Sequence, residues 1–138
     1  MIIKEEIKSK AYEIGFANIG FAKYALLDDE IKHYVEWLNR KYNATLDYLQ
    51  RTIDKRYNIS LLLNGAKTII VTATNYFQYR NYSNSIEKGK ISRYALGNDY
   101  HYVVKNMQDK LINYIKEFYP SANFKNYVDT GSILERQW

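Results

Sequence analysis

The chain has 138 residues, the length of a single domain. Its 46% apolar and 25% charged residues are the make-up of a soluble globular protein, and no apolar run is long enough to span a bilayer. The net charge is +5, which suits an anionic partner without demanding one. Cysteine is absent, which excludes disulfides, thiolate nucleophiles, zinc ribbons and cysteine-ligated iron–sulfur clusters on this chain.

The first residues, MIIKEEIKSK, carry acids and lysines where a signal peptide needs an apolar core, so the chain reads as uncleaved and cytoplasmic, with no membrane partner. Ile3, Ile7, Ala11 and Ile14 recur at helical spacing and predict a helix over residues 2–14, closed by Gly15. FANIGFA (16–22) reads as a short strand. Asp28 or Asp29 is placed to cap a second helix whose apolar face is Ile31, Tyr34, Val35 and Leu38. TLDYLQR (45–51) reads as a short helix. LLLNGAK (61–67) leads through an Asn-Gly turn into the β-branched run KTIIVTATNY (67–76), the strongest strand signal in the chain. A polar loop follows to Ser92. Asp99 then caps a long helix with Val103, Val104, Met107, Leu111, Tyr114, Ile115 and Phe118 on one face, which Pro120 ends.

FKNYV (124–128) reads as a last strand, with a further strand available from residues 86–95. The last strand enters the turn Asp129-Thr130-Gly131 and a helical start, SILERQW. The fold class is α/β (α+β): one domain over 1–138 with a small mixed sheet covered by helices. An incomplete last helix leaves Ile133, Leu134 and Trp138 as an open apolar face and promotes self-association.

Fifteen tyrosines stand out. They fit base stacking or a ligand cleft, but most of the excess is read as the AT-rich codons shared by Lys, Asn, Tyr and Ile. A local cluster, Tyr76, Tyr79, Tyr82, Tyr94, Tyr100 and Tyr102, stands apart from the general excess.

Three segments carry chemistry. Asp129, at a strand end before a hydroxyl residue and a glycine, is placed to give or take a proton, or to cap the following helix. The run Ile91–His101 gathers Ser92, Arg93, two tyrosines, Gly97 and His101. It reads as a phosphate- or amide-binding loop or as a capped helix entry. Arg51 and Lys55 share a helix face at i, i+4 beside Arg56, and read as a grip for an anionic or amide-rich ligand or as a solvated face. Two histidines without cysteine argue against a protein-only transition-metal site, and the P-loop, GxGxxG, GxSxG and HExxH motifs are missing.

Asn64-Gly65-Ala66-Lys67, the stretch Ser92–His101 and the stretch Val128–Arg136 stand in an order and spacing that resembles the N-terminal domain of the cobalamin-dependent epoxyqueuosine reductases. The resemblance runs over the whole chain. It implies a cobalamin-binding-type domain from an oxidoreductase that reduces epoxyqueuosine to queuosine in tRNA, with the tRNA anticodon stem-loop as partner. Cobalamin is the implied cofactor. The electron-delivering iron–sulfur clusters belong to a second domain that is absent here, so this chain alone is expected to be inactive. Asp129 matches the family's proton donor beside the cobalt face, and Arg51 and Ser92 fall, with Asp129, where the family contacts cobalamin. The segment Tyr42–Leu49 departs from the family pattern, which has a His-Gly pair there. A non-catalytic RNA- or ligand-binding module is the competing reading.

Overall fold

The computed structural model describes residues 3–138. Ile2, where the sequence starts its first helix, lies outside them. In chain order the elements are α1 (Lys4–Ile14), β1 (Asn18–Lys23), α2 (Asp28–Asn39), α3 (Asp47–Arg51), α4 (Ile53–Tyr57), β2 (Thr68–Ala73) and α5 (Tyr100–Phe118). Short 3-10 turns lie at Ile59–Leu61, Arg93–Ala95 and Glu135–Gln137. The α/β (α+β) class holds. Among the described residues the sheet is an antiparallel pair, β1 beside β2, with Ala17 N–H bonded to the Ala73 carbonyl at one end and Tyr24 N–H to the Lys67 carbonyl at the other.

The chain divides into two compact units. The first holds the described residues up to Ile19 together with Thr72–Ala122. Here α1 packs on α5, and Ile7, Ala11, Phe16, Leu111 and Ile115 are buried. Gly15 ends α1 at φ 110°, a left-handed conformation that a side chain rarely adopts. The Glu6 carboxylate accepts the Ile3 N–H at 2.8 Å and closes the helix start. Val103 and Phe118, predicted on the inner face of α5, lie at its exposed margin instead.

The second unit holds Gly20–Val71 and Asn123–Trp138. Its helices α2 and α3 both pack against α4. Leu27, which precedes α2 as its N-cap, is buried, so Asp28 and Asp29 lie in the first turn, where their charge favours the helix dipole, rather than at the cap. Asp28 also accepts the Tyr57 hydroxyl at 2.8 Å, and Asn58 accepts that of Tyr24 at 2.7 Å.

Three expectations change here. FKNYV joins no sheet, and residues 86–95 form a turn and a 3-10 stretch rather than a strand. The basic run is split. Thr52 breaks the helix between α3 and α4 at φ −110°, with its hydroxyl bonded back to the Tyr48 carbonyl at 2.8 Å, so Arg51 and Lys55 sit on different helices. SILERQW forms a 3-10 turn, and Ile133, Leu134 and Trp138 are half-buried there rather than an open apolar patch.

Candidate functional site

The segment around Asp129 is built on its backbone. Thr130 N–H bonds to the Val128 carbonyl at 2.6 Å across Asp129, whose φ is 56°. A bond from residue i+2 to i around a positive φ is a γ-turn in its rare, strained sense, and aspartate is one of the few side-chain-bearing residues that tolerates the left-handed region. Gly131 is buried beside it. A Cβ at Gly131 would lie 2.7 Å from Cγ and Cδ1 of Tyr127, so only glycine lets the chain turn against that ring.

Two further residues lie close to this segment, Arg56 and Glu135. The Arg56 guanidinium is buried and donates from Nη1 to the Ile133 carbonyl at 3.1 Å and from Nε to the Thr52 hydroxyl at 3.2 Å. It also faces the Tyr34 ring, 5.8 Å from its centroid. The Glu135 carboxyl lies near both Asp129 and Arg56 and feels the charge of each. Burial first, then the negative charge of Asp129, pushes the Glu135 carboxyl above its ordinary value, against the pull of the Asp129 N–H and of Arg56. Asp129 itself is exposed at the crest of the turn. No α-helix begins after it among the described residues, so the helix-cap reading of Asp129 is set aside.

Arg51 closes α3 with its side chain exposed, and that side chain makes no hydrogen bond or ion pair among the described residues. Ser92 belongs to the other unit. It precedes the 3-10 turn Arg93–Ala95, where its carbonyl accepts Ala95 N–H at 3.0 Å and its hydroxyl makes no cap bond. Arg56, Asp129 and Glu135 are thus brought together in one unit with Arg51 in the same unit, and Ser92 stands in the first.

The tyrosine cluster of the first unit forms a chain of rings. Tyr76 meets Tyr94 edge-on at 6.5 Å, Tyr94 meets Tyr100 at 6.1 Å, and Tyr100 stacks on His101 at 4.2 Å. Arg93 lies 4.5 Å over the Phe77 ring. The start of α5 is served by the chain's own carboxylate, because Asp99 accepts His101 N–H at 2.9 Å. Of the two readings of this run, capped entry is the one realised at the helix start.

Sequence reasoning gave Arg56 no role at the Asp129 turn and passed over Glu135. Each acts through a partner distant in the chain or through backbone geometry, and neither leaves a local pattern.

Residues 56–130 match the family model described as Epoxyqueuosine reductase QueG, DUF1730. The epoxyqueuosine reductase of Cyclobacterium marinum is 32% identical over 132 residues, which cover 96% of this chain and 43% of that protein. The one from Escherichia coli strain K12 is 32% identical over 138 residues, 97% of this chain and 36% of its own length. Among solved structures, a selenomethionine-labelled epoxyqueuosine reductase superposes with a TM-score of 0.81 at 29% identity, over 96% of this chain and 36% of that one. An epoxyqueuosine reductase with a tRNA-Tyr epoxyqueuosine-modified stem loop gives 0.79 at 28% identity, over 97% and 36%. The chain thus spans well under half the length of these relatives. The resemblance drawn from the three motifs is borne out: this chain belongs to the epoxyqueuosine reductase QueG, DUF1730 family and corresponds to the N-terminal domain of those enzymes.

Proposed function

We propose that this chain is the cobalamin-binding, proton-donating part of an epoxyqueuosine reductase that acts on an epoxyqueuosine-modified tRNA stem loop. The observation that carries the reading is Asp129, an exposed carboxyl at the crest of a strained turn closed by the bond from Thr130 N–H to the Val128 carbonyl. Breaking an epoxide C–O bond leaves an alkoxide-like oxygen, and a positioned acid lowers that barrier by protonating it. Asp129 is the acid in this reading. Arg56 anchors the segment that follows it at the Ile133 carbonyl.

A corrin's rim carries amide side chains, which suit a guanidinium or a hydroxyl as hydrogen-bond donors. Arg51 offers an exposed guanidinium with no other engagement, and Ser92 an exposed hydroxyl without a cap bond. When bound, cobalamin supplies the low-valent metal for the reductive step, and the protein supplies orientation and the proton. The structural relative with its modified stem loop and the net charge of +5 support tRNA as the partner, and the polyanion makes that binding salt-dependent.

Cobalamin titration followed by visible absorbance tests the cofactor half. The expected result is a spectral change that Arg51→Ala and Ser92→Ala weaken and Asp129→Asn retains; no change, or one indifferent to Arg51 and Ser92, overturns it. In the enzyme completed by an electron-delivering domain, Asp129→Asn is expected to lower turnover by about 10²–10⁴-fold. Unchanged turnover removes the proton donor.

A further inference from the structure

The aromatic cluster around Tyr76 lies wholly in the first unit and has no part in the Asp129 turn. Its loop, residues 74–92, carries no helix or strand and is held by side chains instead. Three contacts join its two limbs in order. Tyr76 meets Tyr94 edge-on, the Arg93 guanidinium lies 4.5 Å over the Phe77 ring, and the Tyr82 hydroxyl donates to the Ile91 carbonyl at 2.7 Å. At the tip, Lys88 N–H bonds to the Ser85 carbonyl at 3.2 Å. The loop is therefore folded back on itself as a hairpin without a strand ladder.

Burial does not account for its rings. Tyr79 is 84% exposed and makes no ring contact among the described residues, and Phe77 is 60% exposed with Arg93 over one face. Exposed aromatic surface gathered in one place marks a contact surface. The charge says of what kind. From Tyr76 to Tyr94 the chain carries four basic residues, Arg80, Lys88, Lys90 and Arg93, against the single acid Glu87, so +3 of the net +5 falls within this stretch. The side chains of Arg80, Lys88 and Lys90 are exposed and make no hydrogen bond or ion pair among the described residues.

A protein partner matches this surface poorly, because lysine is depleted at protein–protein interfaces and two of the three free cations are lysines. Unpaired nucleotides match it well. Every base has a face that stacks on an aromatic ring, and every phosphate a charge that meets Lys or Arg. A duplex keeps its bases in its own stack and leaves the rings nothing to meet.

We propose that the loop 76–94 is a platform for unpaired RNA bases: Tyr79 and Phe77 offer ring faces for stacking, and Arg80, Lys88 and Lys90 meet the phosphates. This rests on the reading of a tRNA stem loop as the partner and adds which face of the chain takes its unpaired nucleotides. Arg93 fixes the Phe77 limb before RNA arrives, so less order has to be imposed on binding.

The test is fluorescence anisotropy with a labelled, unmodified tRNA anticodon stem-loop and, beside it, a fully paired duplex of the same stem. The wild-type chain is expected to bind the stem loop more tightly than the duplex. Tyr79→Ala is expected to weaken stem-loop binding about 5- to 150-fold, the loss of one stacked base, and to leave duplex binding unchanged. Tyr79→Phe keeps the ring face and is expected to keep the affinity. Tyr12→Ala, which removes an exposed tyrosine of α1 in the same unit, is expected to change nothing. Lys88→Ala and Lys90→Ala are each expected to lower the slope of log affinity against log salt by about 0.7, one phosphate contact on a single strand. The Tyr79 ring gives up no buried contact, so the urea midpoint of Tyr79→Ala is expected to match wild type.

Stem-loop binding that Tyr79→Ala and Phe77→Ala leave intact overturns the platform while the tRNA partner stands. No stem-loop binding by the wild type, even at low salt, overturns the two together. A wild-type dimer in sedimentation that Tyr79→Ala returns to monomer assigns the rings to a second copy of the chain and also overturns the platform.

Discussion

The Arg56 guanidinium donates to the carbonyl of Ile133 at 3.1 Å, joining two residues 77 positions apart in the chain. Its remaining reach is taken by the Thr52 hydroxyl and the Tyr34 ring, and the side chain is buried. A buried charge that loses its place leaves orphaned polar atoms on both sides. Arg56→Ala is therefore expected to cost about 2–4 kcal/mol in urea unfolding. Arg56→Lys recovers only part, because one ammonium group cannot reproduce the fixed fork that serves Ile133 and Thr52 together. An alanine variant as stable as wild type contradicts the anchor.

Gly131 gives a second, steric test of the same segment. An added Cβ would sit 2.7 Å from Cγ and Cδ1 of Tyr127 and 3.1 Å from its Cβ, atoms near the root of the side chain that cannot swing away cheaply. Gly131→Ala is expected to cost about 1–3 kcal/mol. Tyr127→Ala removes the obstacle, so the double variant is expected to be more stable than the sum of the two single losses implies. Strictly additive losses show that the ring does not set the turn.

What was legible in the sequence is what repeats locally. The 3.6-residue spacing of Ile7 and Ala11 and of Leu111 and Ile115 gave α1 and α5, and the β-branched run gave β2. Asp99 reads as a cap, and acts as one. FKNYV failed because a strand needs a partner edge, which composition does not record; only Phe124 and Lys125 alternate in burial there, and Asn126, Tyr127 and Val128 are all half-buried. The α3–α4 break failed because Thr52 carries the bend through one hydroxyl-to-carbonyl bond inside an otherwise helical pattern. At the site, the turn signal around Asp129 and Gly131 was visible. The positive φ of a non-glycine residue, the closeness of Glu135 to Asp129 and the Arg56–Ile133 bond were not, since each is decided by tertiary contacts.

Asp99 makes a prediction in acid. Its carboxylate accepts the His101 backbone N–H at 2.9 Å, and the His101 ring Nδ1 lies 2.7 Å away. The backbone bond, then the ring contact, hold the carboxyl below 3.8. In the window below that value the unfolded chain binds the proton more readily than the folded one. The contribution of Asp99 is thus present above the ordinary aspartate range and is lost as pH falls through the native value. Asp99→Asn keeps an acceptor oxygen and does not titrate. The stability of wild type relative to this variant is expected to shrink as the solution is acidified below 3.8, measured by urea unfolding at a series of pH values. A difference that grows in acid contradicts the assignment.

Glu135 has the opposite sign. Burial raises its carboxyl above 4.5, and the charge of Asp129 adds to the rise, while the Asp129 N–H and the Arg56 guanidinium pull it back. Between 4.5 and the native value the folded chain holds the proton that the unfolded chain has released. The acid form therefore favours folding at low pH, and that advantage disappears as pH rises through the window. Against Glu135→Gln, which carries no proton to lose, the wild type is expected to lose stability over this range. The neighbours should move the midpoint in opposite directions when the Glu135 carboxyl carbon is followed by NMR. Arg56→Ala removes an attractive charge and shifts it upward; Asp129→Asn removes a repulsive one and shifts it downward. A midpoint below 4.5, or shifts of the reverse sense, would mean that Glu135 does not face both groups in solution.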